Sequence, residues 1–277
     1  MKIISSFDSF PIENNRWGVG NRFNDTVYLT AFSLLSASQF YDVTFYTDEK
    51  MAKVLADLPI DIKVFPKKFN YSKDFWVEAK FYVFSKQTEP FIHIDTDVIL
   101  YRDVFKDTEK YLVICERPEV EQFKKHYKKQ VDFFTKEVVD DSIIWDKRLN
   151  YSMNCGTIGF NDLSLSQKFI ENYYKLKNKF NDVRDKFSNL AAEHYEPCIV
   201  LEQYNLTSIL NKTKVKPLYL LGTGNLEAQS NYAEKIGYTH LYGGIKYQEN
   251  VIKQIHSRFK EFFPFYYHNI KIALNNR

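Results

Sequence analysis

Along the first hundred residues, short apolar runs bounded by turn residues alternate with segments of helical spacing. Residues 2–7 read as a first strand, and residues 8–24 as a loop rich in polar and aromatic side chains. Residues 26–40 suit a helix, with Val27, Leu34 and Leu35 among its apolar positions. A second strand covers 43–48, a helix 50–58, and a third strand 60–65 ahead of Pro66. A helix over 74–87 then leads into a fourth strand. Strands alternating with helices predict a mostly parallel sheet with helices on its faces.

Farther along, residues 111–116 read as a strand, and 119–148 as a charged, mixed stretch in which Lys124, Lys125, Lys128 and Lys129 lie close together. The lysines suggest a solvated helix face before they suggest an anion-binding surface. Residues 151–160 form a strand containing Asn154-Cys155-Gly156, where glycine lets a ligand or another backbone approach. Ser164 and Gln167 have capping-box spacing. The helix after them sets Phe169, Tyr173, Leu176, Phe180, Val183 and Phe187 on one face, a core stripe. A helix over 198–210 carries Glu202 and Gln203, and a short strand covers 215–220. Residues 221–237 read as loop and 251–263 as an amphipathic helix, and the tail from Tyr266 carries apolar and basic residues. Without a repeat or a linker, one compact α/β domain over residues 1–277 is expected.

Chemistry enters at Phe91-Ile92-His93-Ile94-Asp95-Thr96-Asp97-Val98-Ile99-Leu100. Pro90 starts an apolar run that meets two carboxylates one residue apart and then turns apolar again. Burying one carboxylate without a partner is expensive, and two of like sign close together cost more. In an extended chain such positions point to the same side, so Asp95 and Asp97 can aim at one cation. The pair falls at the C-terminal end of a fourth strand, where ligands bind in open α/β sheets. Later comes His240 in a His-X-X-Gly-X-X-Lys pattern with Gly243 and Lys246. An imidazole completes a carboxylate shell around Mn²⁺ or Mg²⁺ and tips the preference toward manganese. Glycine permits close approach to a phosphate, and lysine offers a point charge for a diphosphate.

Composition adds limits. With 44% hydrophobic and 26% charged residues the chain is ordinary for a globular protein, and 24 Phe and 20 Tyr are mostly packing. A net charge of +3 is too small to argue for a nucleic-acid partner. Cys115, Cys155 and Cys198 are odd in number and widely spaced, which suits a reducing compartment. Neither a signal peptide nor a transmembrane run is evident. The expected location is the cytoplasm, free or peripheral to the inner face of the membrane.

These motifs resemble GT-A-fold glycosyltransferases, and most closely the family-8-like retaining galactosyl- and glucosyltransferases. The shared features appear in family order as Asp95/Asp97, Asn154-Cys155-Gly156, Glu202-Gln203 and His240/Gly243/Lys246. The first hundred residues also resemble an uncharacterised bacterial family described as glycosyltransferase-like. The resemblance implies a GT-A-type Rossmann-like fold, mixed and mostly parallel. Residues 2–116 would be the nucleotide-sugar-binding half, 117–250 the acceptor and catalytic half, and 251–277 a C-terminal helix and tail.

It further implies that Asp95, Asp97 and His240 bind Mn²⁺ or Mg²⁺, with Thr96 between the aspartates in the donor site. Gly243 and Lys246 would steady the diphosphate, Lys80 would lie near the donor, and Asp8 would meet the nucleoside. Asn154, Gly156, Glu202 and Gln203 would face the transferred sugar and a saccharide or glycolipid acceptor. An inverting reaction would use Glu202 as base, and a retaining one Gln203 on the leaving-group face; the resemblance favours retention and a UDP-sugar. Two departures stand out: Tyr247-Gln248 replaces the family's Pro-Trp, and Glu202-Gln203-Tyr204 replaces its Asp-Gln-Asp. The competing readings are a haloacid-dehalogenase-like phosphatase with Asp95 as nucleophile, and a nucleotide-sugar-binding protein without catalysis.

Overall fold

Strands form where β-branched and aromatic residues cluster, and helices where the spacing lengthens. The structure, a computed structural model, describes residues 2–15, 18–66, 75–190 and 196–276, with 187–190 as backbone only. In chain order the elements are β1 (Lys2–Phe7), α1 (Phe10–Glu13), α2 (Phe23–Ser38), β2 (Val43–Thr47), α3 (Glu49–Val54) and β3 (Asp61–Val64). Next come α4 (Glu78–Phe84), β4 (Phe91–Ile94), β5 (Val98–Leu100), β6 (Val113–Glu119), α5 (Lys128–Glu137), β7 (Ser152–Phe160) and α6 (Leu163–Leu190). The remainder is α7 (Pro197–Ile199), α8 (Asn205–Thr213), β8 (Leu218–Tyr219), α9 (Leu226–Ile236), β9 (Tyr238–His240), α10 (Glu249–Phe262) and α11 (Pro264–Asn275). The expected α/β class, with mostly parallel strand pairing and flanking helices, is what the chain adopts.

Two compact units can be separated. The first comprises Met1–Val83, Phe91–Asp107 and Leu226–Arg277. Among its described residues the main strands run in the order β3-β2-β1-β4, all parallel. Helix α2 is buried almost end to end, so its sequence is apolar or small on every face rather than striped. α10 and α11 cover it, with Phe32 stacked on Phe259 at 5.8 Å. The small polar residues of α2 have partners: Ser33 donates to the Val98 carbonyl (2.5 Å), and the Leu100 N–H donates to Ser36 Oγ (3.0 Å). They hold β5, which pairs antiparallel with β9 so that Val98 faces His240.

The second unit is Phe84–Pro90 and Thr108–Asn225. Among its described residues β6 lies between an antiparallel β7 and a parallel β8. β7 is buried along its length. The stripe of α6 is core as expected at Phe169, Tyr173, Leu176 and Phe180, with Phe180 stacked on Phe134 at 4.9 Å. Val183 is only half-buried, and the side chain of Phe187 lies outside the described residues. The lysines near residue 125 sit on a solvated face, where Lys128 pairs with Asp132 at 2.7 Å.

Several sequence expectations need correction. The stretch 91–100 is not one strand: Asp95, Thr96 and Asp97 form a turn between β4 and β5, closed by the Val98 N–H on the Asp95 carbonyl (3.1 Å). Ser164 and Gln167 make no capping box. α6 begins two residues earlier than that box would set it, the Ser164 N–H bonds Asp162 Oδ1, and Gln167 pairs with Glu171. Residues 221–237 contain α9, a helix of good formers whose mostly exposed surface leaves no apolar period to read. Gly237, with φ +73°, ends it. The tail beyond Pro264 is helical too. β6 runs on to Glu119 through Glu116 and Arg117, because these charges face one another. The helix over 198–210 contains a π-helical segment, Val200–Tyr204, and so does the charged stretch, at Phe123–Tyr127; their rings Phe123 and Tyr204 stack at 5.7 Å. The start of the helix expected at Asp74 lies outside the described residues.

Candidate functional site

The first unit brings Lys80, Asp95, Asp97, His240 and Lys246 together. β4 is buried and ends at Ile94, whose carbonyl accepts from Ser5 Oγ (2.8 Å). The tight turn then aims both aspartates one way, a job that strand alternation was expected to do. Antiparallel pairing of β9 with β5 delivers His240 beside them, and the Leu241 N–H donates to the Asp97 carbonyl (3.0 Å). At the other end of that ladder the Tyr101 N–H bonds the Gly237 carbonyl (2.7 Å).

Asp97 is buried. Its Oδ2 accepts from Lys246 Nζ at 2.6 Å. Its Oδ1 makes no hydrogen bond; His240 Nε2 lies 3.3 Å away, near enough to attract but without the required alignment. Burial pushes this carboxyl upward, but the charges of Lys246 and His240 outweigh burial and hold it well below the usual carboxylate range. Asp95 is set differently. Lys80, only 5% exposed, reaches its Oδ1 at 2.7 Å. Burial, joined by repulsion from Asp97, still exceeds the pull of Lys80 and raises the Asp95 carboxyl. The side chain keeps 28% exposure, so water tempers that rise. Lys246 is raised because attraction to Asp97 overcomes the opposing effect of burial.

His93, on β4, escapes a reading based on motifs. It is fully buried, 2.9 Å from Ser6 Oγ through Nε2 and 3.7 Å from Asp95 Oδ1 through Nδ1. Burial, and then the charge of Lys80, keep it neutral, so it lies behind Asp95 as a dipole and not as a counter-ion. The only signal in the sequence is a histidine inside an apolar strand.

Asp95, Asp97 and His240 each offer one ligand atom, and these atoms lie within 4.8 Å of one another. Ligands of an octahedral ion at about 2.1 Å stand roughly 3–4.2 Å apart, so a small inward shift would close the set. Two carboxylates and an imidazole suit a borderline divalent cation, and the orphaned Asp97 Oδ1 is an acceptor waiting for one. The residues fit a metal. Gly243 has φ +63° and nothing within 4 Å of where a Cβ would lie, so its surface is open. Thr96 sits half-exposed on the turn. Asp8 closes its own turn, with Oδ1 accepting from the Phe10 N–H at 2.8 Å.

The other candidates belong to the second unit. Asn154 is engaged at both ends, its Nδ2 donating to Glu119 Oε1 (2.8 Å) and its Oδ1 accepting from the Gly156 N–H (2.9 Å). Gln203 Oε1 accepts from Ser152 Oγ (3.3 Å), and Glu202 is buried beside it on the π segment, an irregularity frequent at functional sites. Sequence reasoning missed the buried group Glu116, Arg117 and Glu119. Arg117 lies 3.8 Å from Glu116 and 3.6 Å from Glu119, where β6 slips register against β7.

A family model matches residues 1–273. The chain belongs to the family of unknown function DUF6734. No curated protein sequence matches this DUF6734 member significantly. Several solved structures are similar to it. The galactosyltransferase LgtC, in complex with donor and acceptor sugar analogs, is 13% identical over 93% of this chain and 94% of that one, with a TM-score of 0.49. The inositol-1-phosphate CTP transferase from T. maritima is 14% identical over 94% and 96%, TM-score 0.45. Mouse xyloside xylosyltransferase 1, apo form, is 11% identical over 87% and 97%, TM-score 0.41.

Proposed function

We propose that this protein is a metal-dependent glycosyltransferase that moves a hexose from a nucleoside diphosphate sugar, UDP-linked, to a saccharide or glycolipid acceptor with retention. The observation that carries the reading is the convergence of Asp95, Asp97 and His240 beside Lys246. Asp95, Asp97 and His240 would hold Mn²⁺, or Mg²⁺ in its place. When bound, the cation would supply positive charge against the leaving diphosphate. Lys246 adds its own charge to the same group, in a place where such preorganised charge is usually the largest catalytic contribution. Lys80 holds Asp95 aimed. Gly243 and Thr96 border the diphosphate, and Asp8 meets the nucleoside.

In the reaction the anomeric C–O bond breaks, the acceptor oxygen bonds the anomeric carbon, and its proton passes to the departing diphosphate. Gln203 is the polar group assigned to the leaving-group face, and Asn154, Gly156 and Glu202 are assigned to the sugar and acceptor. A glycolipid acceptor would be met at the inner face of the membrane; among the described residues no helix is long and apolar enough to cross one.

The test is to incubate pure protein with a panel of nucleotide sugars and Mn²⁺ and to follow nucleoside diphosphate release. Metal-dependent hydrolysis or transfer with one donor, lost in Asp97→Ala, is expected. Inorganic phosphate released from sugar phosphates without donor use would replace this reading with the phosphatase. Donor binding that never turns over with acceptors present would replace it with a binding protein.

A further inference from the structure

We propose that Lys246 is a tethered cation that competes with the metal for Asp97, so that a divalent ion is held tightly only together with a polyphosphate, which draws the lysine away. This rests on the donor-site reading above and concerns how that site is filled. Two carboxylates, Asp95 and Asp97, face two ammonium groups, Lys80 at 2.7 Å and Lys246 at 2.6 Å. The two ammonium groups therefore already balance the two carboxylates, before any charge on His240 is counted, and their repulsion would offset much of the pull of the aspartates on a bare divalent ion. A polyphosphate changes the balance, because it brings negative charge of its own and a better partner for an ammonium group.

The two lysines are not equally able to move. Lys80 is 5% exposed on α4, whereas the Lys246 side chain is 25% exposed on a short 3-10 turn, Gly243–Tyr247. Gly243 and Gly244, at the start of that turn, have open space on their Cβ sides. The turn itself is pinned: the Tyr247 hydroxyl lies 3.3 Å from Thr26 Oγ1 on α2. A swing of the flexible lysine stem is thus enough to release Asp97 Oδ2 with the backbone in place. Tyr247, where the family resemblance breaks down, becomes the anchor of the exchanging residue.

Equilibrium dialysis that counts protein-bound manganese tests this, with pyrophosphate as the probe. The wild type should bind Mn²⁺ weakly alone and at least about tenfold more tightly with pyrophosphate. Lys246→Met should bind Mn²⁺ alone about tenfold more tightly than the wild type, since one nearby unit charge is gone, and should lose most of the pyrophosphate enhancement. Lys246→Arg keeps the charge and should resemble the wild type. A Lys246→Met protein that is folded by circular dichroism yet binds Mn²⁺ no tighter than the wild type overturns the exchange. So does a pyrophosphate enhancement of wild-type size in that variant. Asp97→Asn separates the two levels: if it binds manganese like the wild type, the donor site itself is wrong. If it loses manganese while Lys246→Met gains nothing, only the exchange is wrong.

Discussion

Replacing Lys80 by methionine removes one charge and keeps most of the stem, so it probes the pair with Asp95. The ammonium group is 2.7 Å from Asp95 Oδ1 and almost fully buried. Removing one partner of a fully buried pair costs about 3–5 kcal/mol, because the other charge is stranded. Asp95 retains 28% exposure, so water recovers part of this, and a loss of about 2–3 kcal/mol follows. Repulsion between Asp95 and Asp97 works in the same direction. A bound divalent ion would replace the missing charge, and at one hundred times its dissociation constant a ligand stabilises by about 2.7 kcal/mol. Urea unfolding followed by circular dichroism, with chelator and with excess Mn²⁺, measures both effects. The variant should be markedly weaker than the wild type in chelator and recover more than the wild type does on adding Mn²⁺. A loss under about 0.5 kcal/mol in chelator would refute the stranded-charge argument. A loss that Mn²⁺ does not relieve would refute the idea that metal and lysine answer the same charge.

Three further outcomes are expected. Gly237→Ala should cost more than about 1 kcal/mol in the same unfolding assay, since alanine is strained at φ +73° and its Cβ would lie 2.9 Å from Arg102 Cγ and 3.3 Å from Arg102 Cβ, at the root of a side chain that cannot swing clear. Asp146 is held well below the usual carboxylate range by the Arg148 guanidinium, against the opposing effect of burial, with the Arg148 N–H and Asn211 helping. A carboxyl lowered on folding stabilises above its unfolded value, about 4, and loses that contribution as the pH falls toward its folded value. Urea midpoints between pH 5 and pH 2 should therefore fall more steeply for the wild type than for Asp146→Asn; parallel curves would contradict this. Cys115, Cys155 and Cys198 are all buried, and burial raises the Cys115 thiol far above its ordinary value. An aromatic disulfide reagent should label none of them in the native protein and all of them in urea.

The parts of this protein that can be read from its sequence are those where burial forces a pattern. β2 and β4 are nearly pure apolar, aromatic or β-branched runs because they are buried on both faces, and the alternation of strand and helix is then enough to name the class. The aspartate pair is legible because two like charges inside an apolar bracket demand a cation, and His240 because its spacing to Gly243 and Lys246 is unusual. What escapes is structure whose partners are distant in the chain. α9 has a surface with almost nothing to bury, so only helix propensity and Gly237 betray it. The π segment under Glu202 and Gln203 adds a residue to a helical turn without disturbing the apolar period enough to show. Glu116, Arg117 and Glu119 look like the polar end of a strand, since nothing local reveals that Asn154, 35 residues on from Glu119, will satisfy one of them. The ion pairs of the site obey the same rule. Lys246 and Asp97 are separated by 149 residues, and a motif can say that both belong to one site. It cannot say that one neutralises the other, which is the contact that decides how a cation enters.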